Sequence, residues 1–129
     1  MMTRRGMKNR LSGSLGEEAA CSFLKKKKYR IVARNYRCRL GEVDIIAERG
    51  GVLVFAEVKT RSSAEFGTPA QAVTYYKRCN IIKTAEMYIL QNPTDSDIRF
   101  DVIEVYGCLT DGGFDVENIN HIENAFQEA

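Results

Sequence analysis

The chain has 129 residues, 44% hydrophobic content and a net charge of +2 at pH 7, which fits one compact domain with a single core. No apolar run approaches the length needed to cross a bilayer, and no apolar segment typical of a secretory signal follows the basic N-terminus. Four scattered cysteines and a single histidine argue against a zinc site and favour reduced thiols. We therefore expect a cytoplasmic protein without a membrane partner.

The charge is distributed unevenly along the chain. Residues 1–40 contain twelve Lys and Arg against two acidic residues, a net charge of +10, whereas residues 41–129 contain seven against fifteen, a net charge of −8. This asymmetry favours a surface that faces a polyanion. A solvated helix face combined with a basic arm would explain the same charges.

The predicted elements begin with a flexible basic arm over residues 1–11, and a single domain fills residues 12–129. A first helix is predicted from Ser12 or Ser14 to about Lys28, because apolar residues recur at helical spacing and Ser14 opens a capping-box pattern. Four consecutive lysines lie at the end of this helix, where cations suit the helix dipole.

A strand is predicted next, over residues 29–37. Its apolar face carries Ile31 and Ala33, and its half-exposed face carries Arg30 and Arg34. Two hairpin strands, a long helix, a fourth strand and a short tail strand follow, at residues 43–48, 52–60, 70–91, 98–106 and 115–122. The order α-β-β-β-α-β plus the tail predicts an α/β domain with a mixed central β-sheet flanked by helices.

The hairpin collects polar residues on one face. A turn at residues 50–51 pairs Asp44 with Glu57. The same register pairs Glu42 with Lys59. Because side chains alternate along a strand, all four project to the same side. The opposite side carries only apolar residues, namely Val43, Ile45, Ala47, Val54, Ala56 and Val58.

This polar face predicts a metal site. Two carboxylates opposite each other repel, and burial increases the cost unless a proton or a cation lies between them. Mg²⁺ prefers a few carboxylate oxygens, keeps several waters and leaves positions open for phosphate. Lys59 is placed to orient or deprotonate a water, or to stabilise charge on a phosphate. The alternative is an exposed strand face with a weak ion pair between Glu42 and Lys59.

The residues also carry a family resemblance. Asp44 and the segment Glu57-Val58-Lys59 resemble the D…(D/E)-x-K signature of the PD-(D/E)XK, or restriction-endonuclease-like, nucleases, with Val43 in place of the motif's leading proline. From about residue 13 to residue 126, the chain is similar to the YraN-type family of small predicted endonucleases, related to archaeal Holliday-junction resolvases. The supporting segments are Gly16-Glu17-x-x-Ala20, Arg34-Asn35-Tyr36, Gly41-Glu42-Val43-Asp44, Phe55-Ala56-Glu57-Val58-Lys59-Thr60-Arg61, Phe66-Gly67, Lys77, Arg99-Phe100-Asp101 and Asn124-Ala125-Phe126.

The resemblance implies a restriction-endonuclease-like core and metal-dependent hydrolysis of phosphodiester bonds. By position, Asp44 and Glu57 would hold Mg²⁺ or Mn²⁺, and Lys59 would be the catalytic lysine. Glu17 matches the acid of the first helix that completes the site in the resolvases. A capping-box acid is an equally good interpretation of Glu17.

Further residues are candidates for supporting roles. Glu42 is an outer acid of the metal site or a partner of the catalytic lysine. Gln71 and Tyr75 resemble the Q-x-x-x-Y motif of some nucleases, although an ordinary helix surface explains Tyr75 better. Arg61 and Lys77 are expected either to contact phosphate or to be solvated.

The sequence therefore predicts a magnesium-dependent endonuclease that acts on DNA, with branched or structured DNA as the candidate substrate. The N-terminal basic residues and the strand face with Arg30 and Arg34 would add phosphate affinity that falls with salt. One alternative is a non-catalytic nucleic-acid-binding accessory protein with a nuclease-like fold. A second alternative is a protein-interaction module. A homodimer is an open possibility, because the resolvases act as dimers.

Overall fold

The computed structural model describes residues 2–63 and 73–127 of the chain. Within these ranges the chain forms two helices and five strands, which are α1 (Arg4–Lys26), β1 (Arg30–Cys38), β2 (Gly41–Arg49), β3 (Val52–Ser62), α2 (Tyr75–Gln91), β4 (Asp97–Thr110) and β5 (Gly113–Phe126). The strands form one sheet in the order β1-β2-β3-β4-β5, in which only β3 and β4 are parallel neighbours. The predicted α/β class with a mixed sheet is confirmed.

The helix α1 begins at Arg4, much earlier than predicted. Thr3 is its N-cap, and the side chain of Thr3 accepts a hydrogen bond from the backbone N–H of Gly6 at 3.0 Å. The predicted start of the helix at Ser12 or Ser14 is wrong, because most of segment 1–11 is helical and the expected capping box at Ser14 lies inside the helix. This segment has little apolar periodicity, but Arg, Lys, Met and Leu are good helix formers.

The C-terminal half of the chain contains longer strands than predicted. The strands β4 and β5 form one extended antiparallel hairpin, so the expected short tail strand is a full edge of the sheet. The helix α2 begins at Tyr75 after the N-cap Thr74, later than predicted, and residues 70–72 lie outside the described residues. No helix in the described parts of the chain is long and apolar enough to span a bilayer.

The two helices cover opposite faces of the sheet, and each face has its own apolar core. The core under α1 consists of Ala20, Cys21, Leu24, Tyr29, Ile45, Ala47, Val54, Ala56, Ile103 and Val105. The core under α2 consists of Val43, Ile46, Leu53, Phe55, Val73, Ile81, Ala85, Phe100, Val102 and Phe126. The sheet is therefore the central layer of an α/β/α arrangement.

The alternation of side chains is interrupted in β1 and β2. A bulge between Ile31 and Ala33 places these residues against different cores, so the prediction that they share a face is wrong. Val43 likewise packs under α2, whereas Ile45 packs under α1, which contradicts their expected common face. On β1, Val43 pairs with Tyr36 and Ile45 pairs with Arg34. Asn35 lies between these two partners and has a φ of 51°, in the left-handed region that asparagine tolerates.

Candidate functional site

The candidate site lies where β2 and β3 stop pairing. Their ladder ends at the pair of Ile45 and Ala56, and its register is the one predicted from the glycine turn. Just beyond this pair, Asp44 Oδ2 accepts a hydrogen bond from the backbone N–H of Val58 at 2.8 Å. A side-chain carboxylate thus replaces a backbone carbonyl as the acceptor at the point where the strands separate.

Three carboxylates from three different elements line one cavity beside this opening. Glu17 of α1, Asp44 of β2 and Glu57 of β3 line one cavity of about 650 Å³, together with Lys77 of α2. A neighbouring cavity of about 150 Å³ is lined by Asp44, Glu57 and Lys77, and also by Glu42. The structure therefore brings the predicted metal-binding acids to one place.

Glu17 reaches this place because Gly16 allows close packing of α1 on the sheet. An added Cβ at Gly16 would overlap Oγ1 of Thr60 on β3, so only glycine fits this position without a shift. Gly16 and Ala20 are both buried in the helix contact. The helix can thus approach β3 closely enough to bring the next side chain, Glu17, to the cavity.

The acids at this site favour a positive partner. Burial and the neighbouring charge of Glu57 raise the pKa of Asp44 to about 8, far above its ordinary value of 3.8. Burial also raises the pKa of Glu17, although Asn35 and Arg34 oppose this shift. Both carboxyls therefore retain a proton more readily than in water, and a bound cation would reverse that preference.

Lys77 is a cation in direct contact with one of the acids of the site. Its Nζ lies 2.5 Å from Oε1 of Glu57, whose side chain is only 6% exposed. Burial alone would lower the pKa of Lys77, but the hydrogen bond to Glu57 and the nearby acids raise it. Lys77 is therefore a charged counter-ion of the acidic cluster, a position that the sequence did not distinguish from a phosphate contact or a solvated side chain.

Lys59 occupies a different environment from Lys77. It lies two residues beyond Glu57 on β3, opposite Glu104 of β4 in the sheet register. It forms no hydrogen bond or ion pair among the residues that the structure describes, and it lines neither of the two cavities above. Its ammonium is thus available to a ligand that approaches this side of the sheet.

Glu42 does not have the expected partner. At this end of β2 the strand pairs only with β1, so Glu42 lies beside Arg37 and their side chains form an ion pair of 3.3 Å. The predicted pairing of Glu42 with Lys59 is wrong, because the ladder with β3 has already ended at Ile45. For the same reason Asp44 and Glu57 are not paired in the ladder, although both line the cavity.

Of the remaining candidates that the structure describes, one lines the larger cavity. Arg61 lines it, and its Nε lies 3.3 Å from the buried carboxylate of Glu104. Arg34 is paired with Glu18 at 3.1 Å. Tyr75 is exposed in the first turn of α2. The position of Gln71 lies outside the described residues.

Two features of the site were missed from the sequence. One is the contact of Lys77 with Glu57, which joins α2 to β3 and which the spacing of residues along the chain does not predict. The other is Asn35, whose left-handed backbone lies beside the interruption of β2. Its only signal was its place in the segment Arg34-Asn35-Tyr36.

Comparison with known proteins places this chain in a family. The sequence profile of the uncharacterised protein family UPF0102 matches residues 16–105, which include all three carboxylates and Lys77. The chain belongs to the UPF0102 family. This confirms the resemblance to YraN-type proteins at the level of the family.

UPF0102 relatives are similar over nearly their whole length. The UPF0102 protein of Alkaliphilus oremlandii is 49% identical over 92% of this chain and 99% of its own length. That of Caldicellulosiruptor saccharolyticus is 47% identical over 93% of this chain and 100% of its own. That of Clostridioides difficile is 44% identical over 93% and 100%. The names of these relatives state no activity.

Proposed function

We propose that this protein hydrolyses phosphodiester bonds of DNA with a bound Mg²⁺ or Mn²⁺ ion, and that branched or structured DNA is its substrate. The observation that carries the proposal is the convergence of Glu17, Asp44 and Glu57 from three elements on one cavity. The five-stranded mixed sheet with a helix on each face is compatible with a restriction-endonuclease-like core.

The donor set fits a hard divalent cation. Asp44 and Glu57 would hold the ion with Glu17 as a further ligand, because carboxylate oxygens are the donors that Mg²⁺ and Mn²⁺ prefer. No three such groups stand close enough to chelate an ion in the described parts of the chain, and Lys77 covers one oxygen of Glu57. Binding would therefore require Lys77 to move from Glu57 and the carboxylates to close together.

The ion would supply Lewis-acid chemistry for attack on phosphorus. The chain's own side chains would bind and orient the substrate. Once displaced, Lys77 would lie at the edge of the same cavity, where its ammonium can contact a phosphate oxygen. Lys59, which lies outside both cavities, would stabilise with its ammonium the negative charge on a phosphate that extends to it.

Cleavage of single-stranded, duplex and four-way-junction DNA with Mg²⁺ or Mn²⁺ tests the proposal. We expect Asp44→Asn and Glu57→Gln to abolish cleavage, and Glu86→Gln, an exposed acid on the far part of α2, to leave it unchanged. Lys59→Met and Lys77→Met, compared with the exposed control Lys83→Met, identify which lysine is catalytic. Cleavage that survives in both Asp44→Asn and Glu57→Gln would remove the proposed site.

A second candidate function is a nucleic-acid-binding accessory protein without catalysis. The ion pair of Lys77 and Glu57 favours it, because an internal ammonium already neutralises one of the acids. Such a protein would bind DNA but show no metal-dependent cleavage in any of the variants. Cleavage that depends on Asp44 and on added Mg²⁺ excludes this candidate.

A further inference from the structure

The first two turns of α1 extend beyond the body of the domain. Every residue from Thr3 to Leu11 is exposed except the partly exposed Gly6, whereas the buried residues of this helix all lie from Gly16 onward. Folding therefore leaves this part of the helix without a packing partner among the described residues. Its side chains face solvent on nearly every side.

This extension, residues 4–12, carries unneutralised positive charge. Arg4, Arg5, Lys8 and Arg10 lie within two turns, and the first acidic residue of the chain is Glu17. None of the four forms an ion pair in the described part of the chain. The charge is thus fully available to an anionic partner.

The basic residues of β1 are in the opposite situation. Arg30 is paired with Glu48 at 3.0 Å, and Arg34 is paired with Glu18 at 3.1 Å. The third arginine of the strand, Arg37, is paired with Glu42 at 3.3 Å. The strand face that the sequence offered as a second phosphate surface is therefore largely neutralised.

The extension also continues into the candidate active site. Lys8, Asn9 and Ser12 line the same cavity as Glu17, Asp44 and Glu57. With a helical rise of about 1.5 Å per residue, the distance along the helix from Glu17 to Lys8 is about 13 Å. That length corresponds to about four phosphates of one strand in a duplex, at roughly 3.4 Å of axis each.

We propose, on the basis of the proposed function, that residues 4–12 of α1 form the track that holds one DNA strand by its phosphates and leads it to the carboxylates. Exposed Met7 and Leu11 would also suit a helix that lies on an anionic membrane. Nucleic acid is the better fit, because a strand can enter the cavity that Lys8 and Asp44 share, and a bilayer surface cannot.

The test compares two variants that each lose three positive charges. One is Arg4→Gln/Lys8→Gln/Arg10→Gln, and glutamine preserves the helix because it is a good helix former. The matched control is Arg30→Gln/Arg34→Gln/Arg37→Gln on β1. Binding of duplex and four-way-junction DNA is measured in EDTA over a range of NaCl concentrations, so that cleavage plays no part. Circular dichroism checks that both variants retain their helices.

For duplex DNA, a plot of the logarithm of the binding constant against the logarithm of the salt concentration has a negative slope. Each lost phosphate contact makes this slope shallower by about 0.9. We expect the slope of the α1 variant to be shallower than that of the unsubstituted chain by about 2.7, and its binding to be more than tenfold weaker at about 0.1 M salt. The β1 variant should retain the slope of the unsubstituted chain. An unchanged slope in the α1 variant, or an equal loss in the β1 variant, would overturn the proposal.

Two further outcomes separate this proposal from the others. If the α1 variant loses binding to phosphatidylserine vesicles but not to DNA, the extension is a membrane helix and the track is wrong. DNA binding with the expected slopes but without metal-dependent cleavage supports the track and overturns only the proposed hydrolysis. Absence of salt-sensitive DNA binding by the unsubstituted chain would overturn the track itself.

Discussion

At the scale of single residues, Asp44 opposes the stability of the metal-free protein. A carboxyl whose folded-state pKa is raised contributes its full stability below the unfolded value of about 3.8 and loses it as the pH rises toward the folded value of about 8. We therefore expect Asp44→Asn to increase the free energy of unfolding at pH 9 by roughly 1–3 kcal/mol. The asparagine can still accept the hydrogen bond from Val58.

Urea unfolding in EDTA between pH 4 and pH 9 measures this effect. The gain should shrink steadily toward pH 4, where Asp44 is protonated in the folded state and partly protonated in the unfolded chain, and the exposed substitution Asp95→Asn serves as the control. If Asp44→Asn is less stable than the unsubstituted chain at pH 9, the ionised carboxylate of Asp44 does not destabilise the folded protein. A residue can thus be retained for binding although it costs stability.

Asp101 is the opposite case to Asp44, because both oxygens of its buried carboxylate accept hydrogen bonds. It accepts hydrogen bonds from His121 at 2.7 Å, from Arg99 at 2.8 and 2.9 Å, and from the backbone N–H of Asn124 at 3.0 Å. Burial alone would raise the pKa of Asp101, but these hydrogen bonds lower it to about 2. Lys27 can only donate to Nδ1 of His121 at 2.8 Å, so Nε2 carries the proton that points to Asp101.

Because this pKa is lowered, the contribution of Asp101 to stability is present above about pH 4 and is lost as the pH falls toward 2. We expect Asp101→Asn to destabilise the protein by about 3–5 kcal/mol at pH 7. Urea unfolding from pH 7 down to pH 2 should show the deficit shrinking over the acidic range, with the exposed Asp115→Asn unaffected throughout. A deficit that does not depend on pH would assign the loss to packing instead of charge.

At the scale of elements, the contact of α1 with β3 depends on Gly16. In an exposed helix, glycine to alanine stabilises by about 1 kcal/mol, and Gly13→Ala, with open space around the added Cβ, should behave in this way. Gly16→Ala should instead destabilise by about 1–3 kcal/mol, because the new methyl group overlaps Oγ1 of Thr60.

Thermal unfolding of the single variants and of Gly16→Ala/Thr60→Ala tests the contact as a double-mutant cycle. The double variant should recover part of the loss, since Thr60→Ala removes the overlapping atoms. Additive effects would mean that the two side chains do not meet. Cleavage by Gly16→Ala should fall along with stability, because Glu17 is carried to the cavity by the same turn of the helix.

The elements differ in how far the sequence determines them. The register of β2 and β3 was predictable because a two-glycine turn fixes it locally. The faces of Val43 and Ala33 were not, since strand alternation assumes a regular ladder, whereas β1 has a bulge between Ile31 and Ala33 and β2 loses its pairing with β3 beyond Ile45. The start of α1 was missed for a related reason, because an unpacked helical extension has no apolar stripe to reveal it.

At the scale of the whole molecule, the site is assembled by long-range packing. Its acids lie on α1, β2 and β3, and the ammonium that neutralises one of them lies on α2. Spacing along the chain predicted that Asp44 and Glu57 meet, because one hairpin carries both. The contact between Lys77 and Glu57 depends instead on how α2 crosses the opposite face of the sheet, which no local pattern records.

This assembly predicts competition between Lys77 and a metal ion for Glu57. In EDTA, Lys77→Met should lower the melting temperature by several degrees, because it leaves a buried carboxylate without its partner. Saturating Mn²⁺ should then stabilise Lys77→Met more than the unsubstituted chain, since the ion no longer has to displace an ammonium. Stabilisation by an ion at one hundred times its dissociation constant is about 2.7 kcal/mol.

Thermal unfolding with and without Mn²⁺ measures both the loss of melting temperature in EDTA and the stabilisation by the ion. The variant Lys83→Met, exposed on the same helix, controls for the loss of a lysine. Asp44→Asn and Glu57→Gln should show little stabilisation by Mn²⁺, because each lacks one of the two main ligands. If Mn²⁺ stabilises Lys77→Met no more than the unsubstituted chain, Lys77 and the ion do not compete for one position. The ammonium would then be a fixed part of the site, and the case for a protein that binds DNA without cleaving it would become stronger.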